Sequence, residues 1–299
     1  MKVLVTGGSG LLGREITKKL LAQNIEVVHL TRTKNSASGV KTYEWDWENN
    51  LIDEACFNGV THIIHLAGAG IADKPWTMKR KRTIVKSRVL TARLIHQKIT
   101  QLNIPIKAFI SASGIGYYGA ITNENIYTEE DKPYDDFIAQ CCKQWEEAAD
   151  LFESNTRVIK LRLGIILDKD KGALPKILSL INKGIGAPIG KGKQYMPWIH
   201  IDDATALFIY CLKNEKINGL FNAVATQHTN NSEFTHSLAK ANNKKIRLPN
   251  VPAFIMKGLY GELADILLYG ARVDNSKIIR NGFEFKFHSL EKALENIYN

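Results

Sequence analysis

Gly7, Gly10 and Gly13 stand at spacings of three behind the apolar run Val3-Leu4-Val5, in the segment Thr6-Gly7-Gly8-Ser9-Gly10-Leu11-Leu12-Gly13. Glycines so spaced let the backbone turn tightly and bring main-chain N–H groups close to a pyrophosphate that any side chain would block. The apolar run suits a strand buried on both faces. Leu11 and Leu12 open an amphipathic stretch, so the turn falls at a helix N-terminus, where unpaired donors and the helix dipole favour an anion. A second strand follows at 26–32. Strand, glycine turn, helix and strand, in that order, form the context in which this motif signifies a dinucleotide site.

The end of the second strand narrows the choice of dinucleotide. An NAD site places Asp or Glu about 20 residues beyond the glycines to accept from the ribose 2′-hydroxyl. This chain has Thr31-Arg32-Thr33-Lys34 there. Arg32 can stack on adenine and hold a 2′-phosphate through its fork of donors, with Lys34 as a second, looser charge. The expected cofactor is therefore NADP(H), bound by Gly7, Gly10, Leu11, Leu12, Gly13, Thr31 and Arg32.

Positioning these groups requires a sheet. Segments 61–66, 106–111 and 156–161 read as strands, 76–102 and 137–152 as helices, and the alternation predicts an α/β, doubly wound parallel sheet of Rossmann type. In such sheets the ligand lies beyond the carboxyl ends of the strands, which brings residues 7–13, Thr31-Arg32, Leu66-Ala67-Gly68 and residues 111–118 to one crevice. The length of 299 residues suggests a nucleotide-binding domain over 1–165, its sheet completed by later segments. A smaller α/β substrate lobe over 166–299 would interleave with it. Gly184, Gly186, Pro188, Gly190 and Gly192 mark a long loop before Met196-Pro197-Trp198-Ile199-His200-Ile201-Asp202-Asp203. Asp202 and Asp203 are placed to begin a helix, where capping and chemistry are both open to them. Residues 254–268 read as one helix whose apolar stripe either covers the substrate lobe's sheet or makes a homodimer face.

Composition excludes several classes. The net charge of +10 raises nucleic acid as a partner. Its densest patch, Lys74, Lys79, Arg80, Lys81, Arg82, Lys86 and Arg88, falls on a helix of the nucleotide domain and lacks an aromatic stacking ladder, so a small-molecule substrate is expected instead. Four cysteines without a CxxC pair or zinc spacing fit a reducing, cytoplasmic setting. No apolar stretch reaches the roughly 18 to 20 residues a membrane span needs. His62 and His65 lie three apart on a strand and point to opposite faces, which argues against a metal pair.

The opening Thr-Gly-Gly-x-Gly-x-x-Gly, Leu66-Ala67-Gly68, Ser113 with Tyr117-Tyr118-Gly119, and residues 197–203 resemble the extended short-chain dehydrogenase/reductase superfamily. Ile71-Ala72-Asp73 with Trp76, Ser87-Arg88, Trp145-Glu146, Arg162-Leu163-Gly164, Gly172-Ala173-Leu174-Pro175 and residues 248–283 narrow the resemblance to its "epimerase family protein" group. Members of that group are sometimes labelled NAD-dependent epimerases or SulA-like cell-division inhibitors. The resemblance runs nearly end to end. It implies an NADP(H) site that uses Arg32, Leu66, Ala67, Arg88 and Thr83.

The chemistry departs from the superfamily's pattern. Active members use a Tyr-x-x-x-Lys pair on one helix face, where the lysine lowers the tyrosine's pKa for proton exchange with a substrate hydroxyl. Ile138 and Cys142 occupy those positions here, and no shift of register restores the pair. Ser113, Tyr117 and Tyr118 are the substitute catalytic candidates, with packing under the nicotinamide loop as the tyrosines' other role. Neither tyrosine has a cationic activator evident in the sequence. Cys142 reads as a buried small hydrophobe, and His200 and Lys193 remain as distant acid/base groups. Two functions stand: an NADP-dependent oxidoreductase or epimerase acting on a small, sugar-like substrate, and a non-catalytic NADP(H)-binding sensor that engages a partner.

Overall fold

Val3, Leu4 and Val5 are all fully buried because the strand that carries them runs through the middle of a sheet with helices on both faces. The computed structural model describes residues 1–33 and 39–298. The sheet has eight strands. Along the chain these are β1 (Lys2–Thr6), β2 (Glu26–Thr31), β3 (Lys41–Asp46), β4 (Leu51–Ile52), β5 (His62–His65) and β6 (Ala108–Gly114). After the short β7 (Ile126–Tyr127), which lies outside the sheet, come β8 (Arg157–Leu163), the separate β9 (Ile165–Leu167) and β10 (Trp198–His200), and then β11 (Gly219–Ala223). Their order across the sheet is β11-β8-β6-β5-β1-β2-β3-β4, parallel except where β4 turns back on β3.

The chain runs outward from β1 through β2 and β3, then returns to the other side of β1 and runs outward again through β5, β6, β8 and β11. The order therefore reverses between β1 and β5, and a crevice opens at their carboxyl ends. One face is covered by α1 (Leu11–Leu21) and α5 (Ile201–Lys213), whose Leu12, Ile16, Leu20, Leu207 and Phe208 pack with Val3 and Val5. The other is covered by α2 (Met78–Gln101) and α3 (Phe137–Asp150), which meet Leu4 and Ile63.

The smaller elements gather near those carboxyl ends. β9 pairs with β10, and β7 pairs with β12 (Arg272–Val273), both in parallel. Trp198, fully buried, anchors a separate core with α4 (Ala173–Asn182), α6 (Asn231–Ala241) and α10 (Leu290–Tyr298). Asn230 caps α6 with a reciprocal capping box to Glu233.

The single helix expected over 254–268 is instead two: α7 (Ala253–Tyr260), a 3₁₀ turn over Gly261–Ala264, and α8 (Asp265–Leu268). Gly261 at φ +56° breaks it, a backbone conformation that ends a helix. The expected stripe splits with it. Phe254 and Leu259 are 75% and 68% exposed, while Met256, Ala264 and Leu268 pack on Ile189 and Val251 rather than on a sheet. Ile266 reaches across to Ile84, Trp76 and Phe137. The segment α9 (Ser276–Arg280) then leads to β11's flank, where Ile278 joins the main core.

Candidate functional site

The glycine turn is closed by backbone contacts that leave no space for side chains. Gly7 sits at φ +68°, and a Cβ there would stand 2.9 Å from the Leu66 carbonyl. A Cβ on Gly13 would stand 2.4 Å from the Gly7 oxygen and 2.7 Å from the Gly8 Cα, so the first turn of α1 lies directly on the loop. Gly10 N–H donates to Gly7 O at 2.9 Å. Gly10 is also the N-cap of α1 and offers no side-chain acceptor, which leaves the first-turn N–H groups of Leu11, Leu12 and Gly13 facing an incoming anion.

Beneath the loop, Thr17 Oγ1 donates to Gly13 O at 2.6 Å and lies 2.8 Å from His29 Nε2. Its one proton is committed to the carbonyl, so His29 Nε2 supplies the proton of the second bond. Burial lowers the pKa of this imidazole and so favours its neutral form.

Across the switch point, Thr6 Oγ1 accepts from the backbone N–H of Leu66 and of Ala67, each at 3.1 Å, and lies 2.9 Å from His65 Nδ1. Ser87 Oγ accepts from Ala69 N–H at 2.9 Å. The Arg88 guanidinium is buried against the Trp145 ring, 4.8 Å from its centroid, and donates to the carbonyls of Ala69 and Ile84. It lies directly under Gly68, where a Cβ would meet its Cζ at 3.0 Å. In this structure Ser87 and Arg88 shape residues 66–69 from below. Thr83 bonds instead to its own helix, at Lys79 O. Thr31 Oγ1 donates to Thr33 O, and the Arg32 side chain stands exposed at the carboxyl end of β2. Lys34 lies outside the described residues.

The third wall carries a charged cluster assembled from β6, β8 and α3. Ser113 and Arg162 are register partners on adjacent strands. β6 and β8 run on to Gly114 and Leu163, beyond the ends expected at 111 and 161. Arg162 Nε and Nη2 donate to the two oxygens of Glu146, both at 2.8 Å, with side chains 1% and 9% exposed. Ser113 Oγ donates to the same Glu146 Oε1 at 2.7 Å.

Tyr118, 1% exposed, accepts from Arg162 Nη1 at 2.9 Å and donates to Asn222 Oδ1 at 2.6 Å, with Thr128 O 2.8 Å away. Burial pushes its phenol up despite the cation beside it. Tyr117 is half-buried, with Arg162 Cζ 3.3 Å from its ring centroid. Burial raises its pKa on balance, the Arg162 charge offsetting only part of that rise. Of the three candidate residues, Ser113 and Tyr118 are buried with hydroxyls committed inside the cluster, and Tyr117 is the least buried.

The helix face that carries Tyr and Lys in active superfamily members is packed shut. Ile138 is buried so closely against Gly116 that a Cβ there would stand 2.9 Å from it, and Cys142 lies 3.7 Å from the equivalent point on Gly114. Burial raises the Cys142 thiol well above its ordinary value. The start of α5 differs from expectation. His200 itself is the N-cap, its Nδ1 accepting from Asp202 N–H at 3.1 Å. Asp203 accepts from the backbone N–H groups of Lys286 and Phe287, and Asp202 pairs with Lys19. Capping by the imidazole frees Asp203 to tie the C-terminal segment to α5.

A glycine-turn crevice at a β1/β5 switch point is matched by the family model described as "NAD dependent epimerase/dehydratase family", over residues 3–223. The chain belongs to this family. A second model, for a domain of unknown function numbered 1731, matches residues 251–297, the region of α7 to α10. Among the family's named proteins, the "Epimerase family protein SDR39U1 homolog, chloroplastic" of Arabidopsis thaliana is 32% identical, over 99% of this chain and 86% of that protein. The mouse "Epimerase family protein SDR39U1" is 31% identical over 99% of each. A crystal structure of the human epimerase family protein SDR39U1 (isoform2) with NADPH superimposes with a TM-score of 0.89 at 28% identity, covering 100% of this chain and 99% of that one. The Thermus thermophilus UDP-glucose 4-epimerase in complex with NAD, at 19% identity and TM-score 0.78, shares the Rossmann-type fold over 100% and 99% of the two chains.

Arg162 and Glu146 are the residues that sequence reasoning left unpaired. Both lie in motifs that carried the resemblance, and Glu146 is a charge on the otherwise apolar inner face of α3, while Arg162 is the buried one of two charges alternating with apolar residues in β8. A charge on a buried face is the signal that could have found Glu146. Sixteen residues of separation hide the contact.

Proposed function

We propose that this epimerase family member binds NADP(H) and acts as an oxidoreductase or epimerase on a small, sugar-like substrate. The observation that carries the cofactor choice is Arg32, exposed at the carboxyl end of β2 with no acid in Thr31-Arg32-Thr33 to claim a ribose 2′-hydroxyl. The crevice suits a dinucleotide: the glycine loop leaves backbone N–H groups free beside a space bounded by residues 66–69. The NADPH in the human relative's crystal structure lends support.

When bound, the nicotinamide supplies or receives a hydride at a substrate carbon. Tyr117 is the group offered to exchange the matching proton at the substrate oxygen, and the Arg162 guanidinium on its ring offsets part of the rise that burial imposes on its phenol. Glu146 fixes that guanidinium by two bonds and Ser113 holds Glu146. These two position Arg162 rather than touch substrate. A cytoplasmic setting is part of the proposal, supported by the four free buried cysteines and by bacterial relatives such as that of Staphylococcus aureus.

A second reading, a cofactor-holding sensor, draws on the apolar packing of Ile138 and Cys142 where acid/base groups are usual. Nicotinamide fluorescence separates the two. NADPH should bind tightly to the wild type and far more weakly to Arg32→Ala, and a panel of carbonyl compounds and nucleotide sugars should include one that bleaches it. Binding with no decay on any substrate favours the sensor, and equal affinity for NADH and NADPH sinks the role given to Arg32.

A further inference from the structure

Met256 is the only residue of α7 that is buried. A helix as apolar as Ala253-Phe254-Ile255-Met256-Lys257-Gly258-Leu259-Tyr260 ordinarily lies inside a protein. Here Met256 alone anchors it, in a small cluster with Ala264, Leu268, Ile189 and Val251. Phe254, Ile255, Leu259 and Tyr260 all stand exposed. A helix of eight residues, about 12 Å long and held along one line, is a ridge on the surface and not a groove. So much apolar area in one place is more than chance exposure of single side chains.

Cations border the ridge. Residues 243–260 include Lys244, Lys245, Arg247 and Lys257 and no acid, and all four are exposed. Lys257 stands 3.9 Å from Asp265, an open pair worth little, and the next acid along the chain, Glu262, is taken by Lys81. Lys244, Lys245 and Arg247 have no ion pair among the described residues. The base of α7 is tied to a further exposed cation: Gly190 N–H donates to Val251 O and Val251 N–H to Pro188 O, both at 2.8 Å, which places Lys191 beside Val251. Four residues of chain keep Arg247 within about 14 Å of the same point.

An apolar ridge with a cationic border matches a bilayer of anionic phospholipid in both respects, since aromatic and aliphatic side chains enter the acyl boundary while Lys and Arg meet the headgroup phosphates. A second copy of the chain fits less well, because an isologous contact through α7 brings the same cations together across its axis. An acidic protein would need a groove cut to the ridge, whereas a bilayer deforms around it. We infer that α7 and the basic segment before it dock this protein on an anionic lipid surface, with Phe254 and Leu259 as the inserted side chains. No helix among the described residues is long and apolar enough to cross a membrane, so the docking is from one side.

The test is sedimentation of the full chain with vesicles of phosphatidylcholine, either pure or with about 30 mol% phosphatidylserine. Binding should be at least about tenfold stronger on the anionic vesicles, since each cation near such a surface is worth about fivefold. Phe254→Ser/Leu259→Ser and, separately, Lys244→Glu/Arg247→Glu should each weaken that binding about tenfold or more. Both variants alter only exposed side chains, so their thermal unfolding should match the wild type and certify the fold. No binding to the anionic vesicles, equal binding to both compositions, or binding that either variant keeps overturns the inference. Light scattering supplies one more overturning result: a dimer that Phe254→Ser/Leu259→Ser dissociates would give the ridge to a second copy.

Discussion

Arg162 and Glu146 meet through two parallel bonds of 2.8 Å, one from each end of the guanidinium's Nε–Nη2 edge, inside a sheet–helix junction with almost no solvent. Removing one partner strands the other's charge in the interior. Glu146→Leu and Arg162→Met should each destabilise by about 3–5 kcal/mol. The double variant Glu146→Leu/Arg162→Met, which strands neither charge, should lose clearly less than the sum. Urea unfolding of the four proteins measures this, and additive losses would mean that the pair is not coupled.

The adjacent tyrosines should separate cleanly. Tyr118→Phe leaves Arg162 Nη1 and Asn222 Oδ1 short of a partner in the core, at a cost of about 1–3 kcal/mol. Tyr117→Phe keeps the ring stacked on Arg162 and should cost less than Tyr118→Phe, about 1 kcal/mol or less. If Tyr117 exchanges the proton, that variant still binds NADPH and loses turnover of whichever substrate the carbonyl panel identifies. Retained turnover in Tyr117→Phe would remove Tyr117 from the chemistry.

The glycine turn and the strand before it were legible because their requirements are local. Gly7, Gly10 and Gly13 are demanded by contacts within the turn itself, and Val3 to Val5 reveal a central strand by their apolar continuity. The long-range contacts were not legible. The bond from Ser113 to Glu146 and the stack of Arg162 on Tyr117 depend on β6 and β8 being neighbours, a fact of sheet order. The break at Gly261 was missed for a related reason: the apolar residues of 254–268 keep a helical period, while a single left-handed glycine redirects the chain. At the start of α5, Asp202 and Asp203 are ordinary capping residues, yet tertiary bonds to 286–287 and Lys19 claimed both. Arg32 was placed at the strand end by spacing alone.

Glycine substitutions should distinguish a site from a turn. Gly13→Ala drives a methyl to 2.4 Å from the Gly7 oxygen, which forces α1 and the phosphate loop apart. Loss of even one charge-assisted N–H contact to a phosphate would weaken NADPH binding about tenfold or more. Gly184 also has positive φ, +76°, but nothing lies within 4 Å of its added methyl. Gly184→Ala should therefore cost only about 1 kcal/mol of backbone strain and leave the NADPH titration unchanged. A Gly13→Ala protein with wild-type affinity would show that the loop does not carry the phosphates.

Stability should fall as the solution is acidified from neutrality, because several imidazoles are buried neutral. His65 has no solvent exposure and sits between Thr6 Oγ1 and Thr91 Oγ1. Burial, reinforced by the nearby Arg88 charge, brings its pKa down from 6.5 to about 4. Above pH 6.5 both the folded and the unfolded protein hold it neutral, and it adds no pH dependence. Between 6.5 and 4 the unfolded chain takes up the proton and the folded one does not, so the folded state loses ground as pH falls. Below about 4 both are protonated and the loss levels off. The shift from 6.5 to about 4 amounts to about 3 kcal/mol from this residue. His62, also lowered to about 4, and His29 act in the same direction. Urea midpoints at pH 7, 5.5 and 4.5 should decline steadily for the wild type and less steeply for His65→Gln, which has no proton to gain in that window. Equal slopes for the two proteins would show that His65 is not held neutral by the fold.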